Sequence, residues 1–231
     1  MSPPEIDHLV VAGASLDDCV QWCEATLGVT PGPGGQHPLM GTHNRLLNVS
    51  GAAHPRCYLE MIAIEPGATP TRPPGLRRWF DLDDAALQDA LRKNGPRLIH
   101  FVARVPDAVA AVRHLAQGVP PIDRGTVIRA SRDSAAGTLE WQIAVRDDGQ
   151  RLMYGLMPTL IQWGPLHPAD HMPPCGLQLE RLVARHPRAE ALATSYAQIG
   201  LSQISVLEGS PQLTAVLQTP RGQVELHSDG C

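Results

Sequence analysis

The chain has 231 residues, of which 43% are hydrophobic and 18% charged, so a disordered tail and a fibre are both excluded. A formal net charge of −4 and an aromatic content of 4% argue against nucleic acid as a partner. No apolar run reaches about 18 residues, so neither a membrane-spanning helix nor a membrane partner is predicted.

The opening residues lack the basic and apolar parts of a secretory signal, which predicts a cytoplasmic location. Five cysteines without a repeated spacing fit reduced thiols in that compartment: Cys19, Cys23, Cys57, Cys175 and Cys231.

A pattern of strand, helix and glycine occurs three times along the chain. The repeats open near Ile6, Leu98 and Leu179 with branched apolar residues that are typical of strands. Apolar residues at helical spacing follow in each repeat and predict helices at about 15–27, 106–116 and 188–199. The glycines that end these helices are Gly28, Gly118 and Gly200.

Further strands are predicted after each helix. They lie at about 46–49 and 58–64 in the first unit, where one strand is poorly marked, at 127–130, 139–145 and 160–163 in the second, and at 203–207, 213–218 and 223–227 in the third. Each unit therefore has the pattern βαβββ. Strands this close in sequence pair mostly as antiparallel neighbours, which makes the predicted fold class α+β.

Two proline-rich segments punctuate the repeats. Residues 66–96 form an insertion with a short predicted helix at 83–93, and residues 164–174 contain four prolines. We therefore expect a domain at 1–168, with modules at about 5–65 and 97–164, and a third βαβββ-like module at 175–231.

Four polar residues interrupt the apolar strands of the first two units. His8 and His100 occupy matching places in the opening strands, while Glu60 and Gln162 lie within the last strands. A single such histidine is most often a core residue satisfied by a hydrogen bond. A carboxylate in a strand as apolar as that of Glu60 costs several kcal/mol unless it is paired or binds a metal. Two residues from each unit favour a shared site for a divalent metal.

The repeat with this set of four resembles the vicinal oxygen chelate superfamily, in which paired βαβββ modules close around a metal. Residues 37–46 (HPLMGTHNRL), the Tyr-Leu-Glu at 58–60 and residues 157–163 resemble its glyoxalase-like domain family, and the match spans about residues 5–168. The resemblance implies a curved mixed sheet around a cavity. It also implies a bound Zn, Ni, Mn or Fe ion whose ligands are His8, Glu60, His100 and Gln162.

The same resemblance implies a metal-dependent lyase, isomerase or dioxygenase that acts on a small molecule with vicinal oxygens, with Glu60 as the catalytic residue. A metal-free protein that sequesters a small ligand is the alternative, and a scaffold with a filled cavity is a third reading. The predicted substrate-binding residues are His37, Thr42, Asn44, Arg45 and Trp163. The segment 37–45 also suits a simple turn.

The third unit departs from the other two. Arg181 stands where they have a histidine, although Glu225 lies in the last strand at the place of Glu60. We expect this unit to cover the sheet or to form a homodimer contact. In the alternative arrangement it pairs with the first unit and places Glu225, rather than Gln162, in the site.

Overall fold

The computed structural model describes residues 3–134 and 137–228. Cys231 and the last residues of the predicted third module lie outside the described residues. The elements follow the predicted βαβββ order in all three units. They are β1 (Glu5–Ala12), α1 (Leu16–Leu27), β2 (Gln36–His37), β3 (Thr42–Asn48), β4 (Tyr58–Ile64), α2 (Ala85–Asn94), β5 (Arg97–Arg104), α3 (Ala108–Gln117), β6 (Thr126–Ser134), β7 (Gly137–Val145), β8 (Thr159–Trp163), β9 (Gln178–Arg185), α4 (Ala189–Gln198), β10 (Ile204–Leu207), β11 (Gln212–Thr219) and β12 (Gly222–His227).

The first two units form one curved sheet of eight strands in the order β2-β3-β4-β1-β5-β8-β7-β6. Strands β1 and β5 are antiparallel at its centre, β4 is parallel to β1, and β8 is parallel to β5. Module one (β1–β4 with α1) and module two (β5–β8 with α3) therefore repeat one strand order on either side of the centre. This arrangement confirms the predicted α+β class and the paired modules.

The helices begin at polar residues that the sequence places before each apolar pattern. Ser15 caps α1 by accepting a hydrogen bond from the backbone N–H of Asp18, and Asp107 caps α3 in the same way through Ala110. Gly28 ends α1 with a φ of 76°, a left-handed conformation that glycine adopts without steric cost. These caps set the lengths of the two helices that cover one face of the large sheet.

An irregularity in β1 shapes the opposite face. Ile6 pairs with Ala103 and His8 pairs with Val102, so Asp7 is an extra residue in this strand, a β-bulge. Asp7 and His8 would point to opposite faces of a regular strand. The bulge instead brings their side chains together in a hydrogen bond.

The third unit forms a separate four-stranded sheet in the order β10-β9-β11-β12. Its first strand lies between β10 and β11, whereas in the first two modules the first strand lies beside the last one. Glu225, on the edge strand β12, is half-exposed and lies 4.0 Å from Arg181. The alternative in which Glu225 enters the site of module one is therefore wrong.

This second sheet packs on the convex side of the large sheet. Leu182 and Leu213 share a buried cluster with Leu9 and Phe101 of the central strands, and the two sheets thus have a common core. The backbone N–H of Leu179 also donates to the carbonyl oxygen of Val49 at 2.8 Å. The third unit covers the large sheet, while the homodimer stays a prediction.

No helix within the described part of the chain is long and apolar enough to cross a membrane. The cytoplasmic location stays a prediction.

The common core predicts that the third unit contributes to the stability of the whole chain. Leu182→Ala is expected to lower the free energy of unfolding by about 2–5 kcal/mol in one cooperative urea transition, because it leaves a cavity in the shared cluster. Leu207→Ala, at an exposed position of the same sheet, should cost about 0.5 kcal/mol or less. Two separate transitions in the Leu182 variant would contradict a shared core.

Candidate functional site

The concave face of the large sheet encloses a narrow central cavity between the two modules. Polar side chains line it on the side of module one, and aromatic side chains close it on the side of module two and of the insertion. Its lining includes His8, His37, Asn44, Glu60, Tyr58, Trp79, Phe80, Arg132, Trp141 and Trp163. The remaining volume is about 30 Å³, enough for one or two water molecules.

Asp7 orients His8 at the base of this cavity. The Asp7 carboxylate is fully buried and accepts a hydrogen bond from Nδ1–H of His8 at 2.6 Å. Two further donors reach its other oxygen at 2.9 Å, Nε1–H of Trp163 and Nε2–H of His167. The ring of Tyr58 stacks on His8 at 4.5 Å. With Nδ1 bound to Asp7, the Nε2 atom of His8 is directed into the cavity.

The surroundings keep the Asp7 carboxylate charged. Burial acts to raise the pKa of Asp7, but hydrogen bonds from His167 and His8, together with the positive charge that these rings can carry, outweigh burial. The pKa of Asp7 therefore lies well below its usual range, and a fixed negative charge stands behind His8.

Glu60 is anchored by a chain of side chains on β3 and the preceding turn. Asn44 donates from Nδ2 to Oε1 of Glu60 at 2.6 Å and approaches Nε2 of His37 at 3.3 Å. His37 in turn contacts the hydroxyl of Thr42 at 3.1 Å. The Oδ1 atom of Asn44 accepts from the backbone N–H of Gly35 at 2.8 Å. One oxygen of Glu60 is thus held, and the other is directed toward His8.

The polar motif at 37–44 supplies the hydrogen-bonded side chains that hold Glu60. Residues two apart on a strand point to the same face, so Thr42 and Asn44 share one face of β3, and both are buried. Gly34 allows the preceding loop to approach, because a Cβ atom there would lie 2.1 Å from the carbonyl oxygen of Asn44. The predicted substrate-binding residues His37 and Asn44 do line the cavity, and Thr42 supports His37 from behind.

His37 is neutral at physiological pH. Burial lowers its pKa to about 4, and this effect outweighs the attraction of the nearby Glu60 charge. A neutral ring whose Nδ1–H donates to Thr42 leaves Nε2 as the acceptor for Asn44.

His8 and Glu60 face each other across the narrowest part of the cavity. The distance from Nε2 of His8 to Oε2 of Glu60 is 3.6 Å, beyond an ordinary hydrogen bond. Both atoms can exchange a proton, and their side chains are each fixed by other partners. The pair can therefore pass protons to and from a group that contacts both atoms.

His100 has a structural role, which corrects its prediction as a metal ligand. Its Nδ1–H donates to the carbonyl oxygen of Gly155 at 2.8 Å, and its Nε2 accepts from the backbone N–H of Thr159 at 3.1 Å. Burial lowers the pKa of His100 well below its usual value. Because both ring nitrogens are engaged within the protein, neither has a free lone pair for a metal.

Gln162 is not the counterpart of Glu60, which corrects a second predicted ligand. Its Oε1 accepts from the backbone N–H of Ala108 at 3.0 Å, at the start of α3 and thus on the helical face of the sheet. Val10 lies opposite Glu60, and the matching Val102 lies opposite Thr159. Thr159 therefore occupies the place of Glu60 in module two.

The predicted metal site is not assembled. Of its four proposed ligands, only His8 and Glu60 bring free donor atoms together, which falls short of the three or four protein ligands usual for zinc. Within residues 3–134 and 137–228 no group of three or more His, Cys, Asp or Glu side chains is arranged to hold a metal. The donor set of His8, Glu60, His100 and Gln162 thus does not fit a metal ion.

Arg45 is exposed on the opposite face of β3 and does not line the cavity, so its prediction as a substrate contact is wrong. Arg132 of β6 lines the cavity instead. It also lines an adjoining side groove of about 390 Å³, whose wall is largely apolar and includes Leu46, Leu139 and Pro168. Arg132 therefore lies where the small cavity meets a larger open space.

Several other residues of the site also have a sequence signal. Asp7 is a carboxylate in an apolar strand, so it has the same burial cost as Glu60 unless it is paired. Trp79 and Phe80 are adjacent aromatic residues in a chain with few, yet they belong to the insertion at 66–96, which lies outside both βαβββ patterns. Trp163 was predicted and does line the cavity, where its ring also holds Asp7.

Paired βαβββ modules around a cavity that contains His8 and Glu60 define a protein of the vicinal oxygen chelate class. The sequence profile of the glyoxalase-like domain family matches residues 6–200, and the chain belongs to that family.

Among the similar solved structures, one supports the fold. A hypothetical protein from Staphylococcus aureus is 13% identical with a TM-score of 0.55, over 98% of this chain and 85% of that one. A methylmalonyl-CoA epimerase variant from Streptomyces coelicolor in complex with 2-nitronate-propionyl-CoA is 18% identical with a TM-score of 0.41, over 72% and 99%. A methylmalonyl-CoA epimerase from Mycobacterium tuberculosis is 18% identical with a TM-score of 0.37, over 70% and 88%. No curated protein matches the chain in sequence.

The position of Gln162 predicts that it has no part in metal binding. Gln162→Ala is expected to lower the free energy of unfolding by about 1 kcal/mol, because the start of α3 loses an acceptor. Equilibrium dialysis against Zn²⁺, Ni²⁺ or Mn²⁺ should give the same result for this variant and the parent. A loss of metal affinity in the variant would restore the predicted ligand role.

The buried neutral histidines predict a loss of stability in mild acid. The folded-state pKa of His37 is depressed, so its contribution is present above about pH 6.5 and is lost as the pH falls toward 4. Between pH 7.5 and 5, the free energy of unfolding of His37→Gln should fall by about 1–2 kcal/mol less than that of the parent. His114→Gln, on the surface of α3, is the control, and equal slopes for parent and His37→Gln would contradict this account.

Proposed function

We propose that the protein is an enzyme that transfers a proton to or from a carbon atom next to a carbonyl group of a small molecule. Glu60 is the catalytic base, and His8, oriented by Asp7, is its partner acid. The observation that carries this proposal is the buried pair His8 and Glu60, whose facing atoms lie 3.6 Å apart while their other atoms are held.

The reaction follows from the charges of the pair. Oε2 of Glu60 takes a proton from the substrate carbon, and the electron pair of the broken C–H bond moves onto the carbonyl oxygen as an enolate. The carboxylate of Asp7 stabilises a protonated His8 ring, whose Nε2–H can return a proton to the enolate, and the proton held by Glu60 then passes to Nε2 of His8, which restores both groups. A return to a different face or atom of the substrate gives an isomerase or epimerase.

The residues around the pair suit substrate binding. His37 and Trp163 form walls of the cavity, and Asn44 holds Glu60 in place. The side groove supplies volume for the rest of a substrate, and Arg132 stands at the junction. Exclusion of water from so narrow a cavity strengthens the electrostatic effect of Asp7 on His8.

Metal dependence is not part of this proposal. A divalent ion would act as a Lewis acid on the carbonyl oxygen. The predicted ligand set that would hold it is divided between the two faces of the sheet, and one member, His100, is already engaged on both nitrogens.

The experiment is hydrogen exchange into small carbonyl compounds in D₂O, followed by ¹H NMR. Pyruvate, 2-oxobutyrate and dihydroxyacetone are the probes, and the protein is expected to accelerate exchange next to the carbonyl of at least one of them. Glu60→Gln should slow this exchange by roughly 10²- to 10⁴-fold, the usual contribution of a positioned base.

Glu208→Gln makes the same chemical change at an exposed position of the third unit and should exchange at the parent rate. Equal rates for Glu60→Gln and the parent would show that Glu60 is not the base. Saturable binding of a probe without exchange would favour the alternative, a protein that sequesters a small ligand.

A further inference from the structure

Module two contains a buried cation that the proposed proton transfer does not use. Arg124 is 2% exposed, and its Nη2 donates to the hydroxyl of Thr159 at 2.7 Å. Its Nε and Nη1 atoms have no hydrogen-bond partner among the described residues. Buried polar groups are almost always satisfied, and a buried charge without a counter-charge costs several kcal/mol, so this guanidinium requires an explanation.

Among the described residues, Arg124 has no carboxylate in its own cavity. The small cavity is lined by Trp79, Phe80, Arg146, Gln150 and Thr159, together with Ala144, Val145 and Gly149, and the described lining contains no aspartate or glutamate. Asp123 and Asp148, whose charges act on Arg124, are bound by Arg146 at 3.1 and 2.6 Å.

The positive charge persists at neutral pH. Burial and the neighbouring charge of Arg146 lower the pKa of Arg124 only to about 10, and the charges of Asp123 and Asp148 oppose this shift. Arg124 is therefore a cation whose own cavity holds no described carboxylate.

Trp79 has a second unused donor. Nε1 of Trp79 is buried and has no hydrogen-bond partner within the described residues, and Trp79 lines the cavity of Arg124 as well as the central cavity. A pocket with unpaired donors from Arg124 and Trp79 and with aromatic walls is complementary to a small, flat anion.

This pocket lies beside the proposed catalytic pair. Trp79 and Phe80 line both cavities, and Thr159 links Arg124 to His100, which faces Phe80 at 5.3 Å between ring centroids. Thr159 is also the counterpart of Glu60 in module two. Arg124 therefore donates to the residue that takes the place of Glu60 in module two.

We propose that Arg124 and Trp79 form a subsite for the carboxylate of the substrate, so that the enzyme acts on a small carboxylic acid. The claim that this anion is part of the substrate rests on the proposed function. The claim that the pocket binds an anion does not. The Arg124 cavity has a volume of about 10 Å³, so the rings of Trp79 and Phe80 must turn to admit the ligand. Phe80 already has a φ of 60°, a strained backbone conformation for a bulky residue.

The test is isothermal titration calorimetry of the full chain with acetate, propionate and pyruvate, at an ionic strength held constant with chloride. The parent is expected to bind at least one of them. Arg124→Met should weaken that affinity roughly 10- to 100-fold, because a charge-assisted hydrogen bond is lost. Arg113→Met, which removes an exposed arginine from α3, should retain the parent affinity. No binding by the parent, or equal affinity in Arg124→Met, would overturn the proposal.

Thermal denaturation without carboxylate separates ligand binding from a structural role. Arg124→Met should melt no lower than the parent, because it removes a buried unpaired charge. A lower melting temperature with unchanged carboxylate affinity would assign Arg124 to the core instead. If this variant does not fold, Trp79→Phe decides, since it keeps an aromatic ring but loses the Nε1–H donor. A carboxylate affinity equal to that of the parent would then overturn the proposal.

Phosphate and sulfate titrations test the class of anion, and tighter binding of either than of all three carboxylates would overturn the assignment.

Glu60→Gln separates this proposal from the proposed enzyme. If parent and Glu60→Gln both bind carboxylate and neither exchanges hydrogen, the subsite stands and the enzyme proposal fails. If the parent exchanges hydrogen but Arg124→Met binds carboxylate as the parent does, the enzyme stands and the subsite fails.

Discussion

The buried carboxylate of Asp7 is the constraint on which the central cavity depends. A charge removed from water must be stabilised by its surroundings, and His8, Trp163 and His167 do so by donating hydrogen bonds to its two oxygens. These donors come from β1, β8 and the segment that follows β8. By binding Asp7 they fix the ring of His8 and join the two modules across the middle of the sheet.

The two modules share one strand order but differ in the residues at matching positions. Module one has a polar network that ends in Glu60, whereas module two has His100 and Thr159 at the places of His8 and Glu60, and Thr159 accepts a hydrogen bond from the buried Arg124. The fold thus repeats, but the polar groups that it carries do not.

Pattern alone was sufficient for the architecture. Branched apolar runs, helical spacing and capping residues located almost every helix and strand, because these signals depend on neighbours in sequence. His8 and Glu60 also emerged in this way, since polar residues in apolar strands are conspicuous. Gln162 is the most polar residue within β8, which favoured it as the counterpart of Glu60, but the hydrogen-bonded register makes Thr159 that counterpart. Arg45 belongs to the same polar segment as Asn44 but lies on the exposed face of β3, and only the bounds of that strand show this.

By itself, the sequence determined the α+β class, the paired modules and the polar residues of module one, since strand and helix periodicity record which faces are buried. The tertiary structure decided what those residues do. The bulge that turns Asp7 toward His8, the carbonyl of Gly155 that engages His100, and the insertion that brings Trp79 and Phe80 over the cavity all involve contacts between distant segments. Such contacts depend on packing and register, which no local pattern contains.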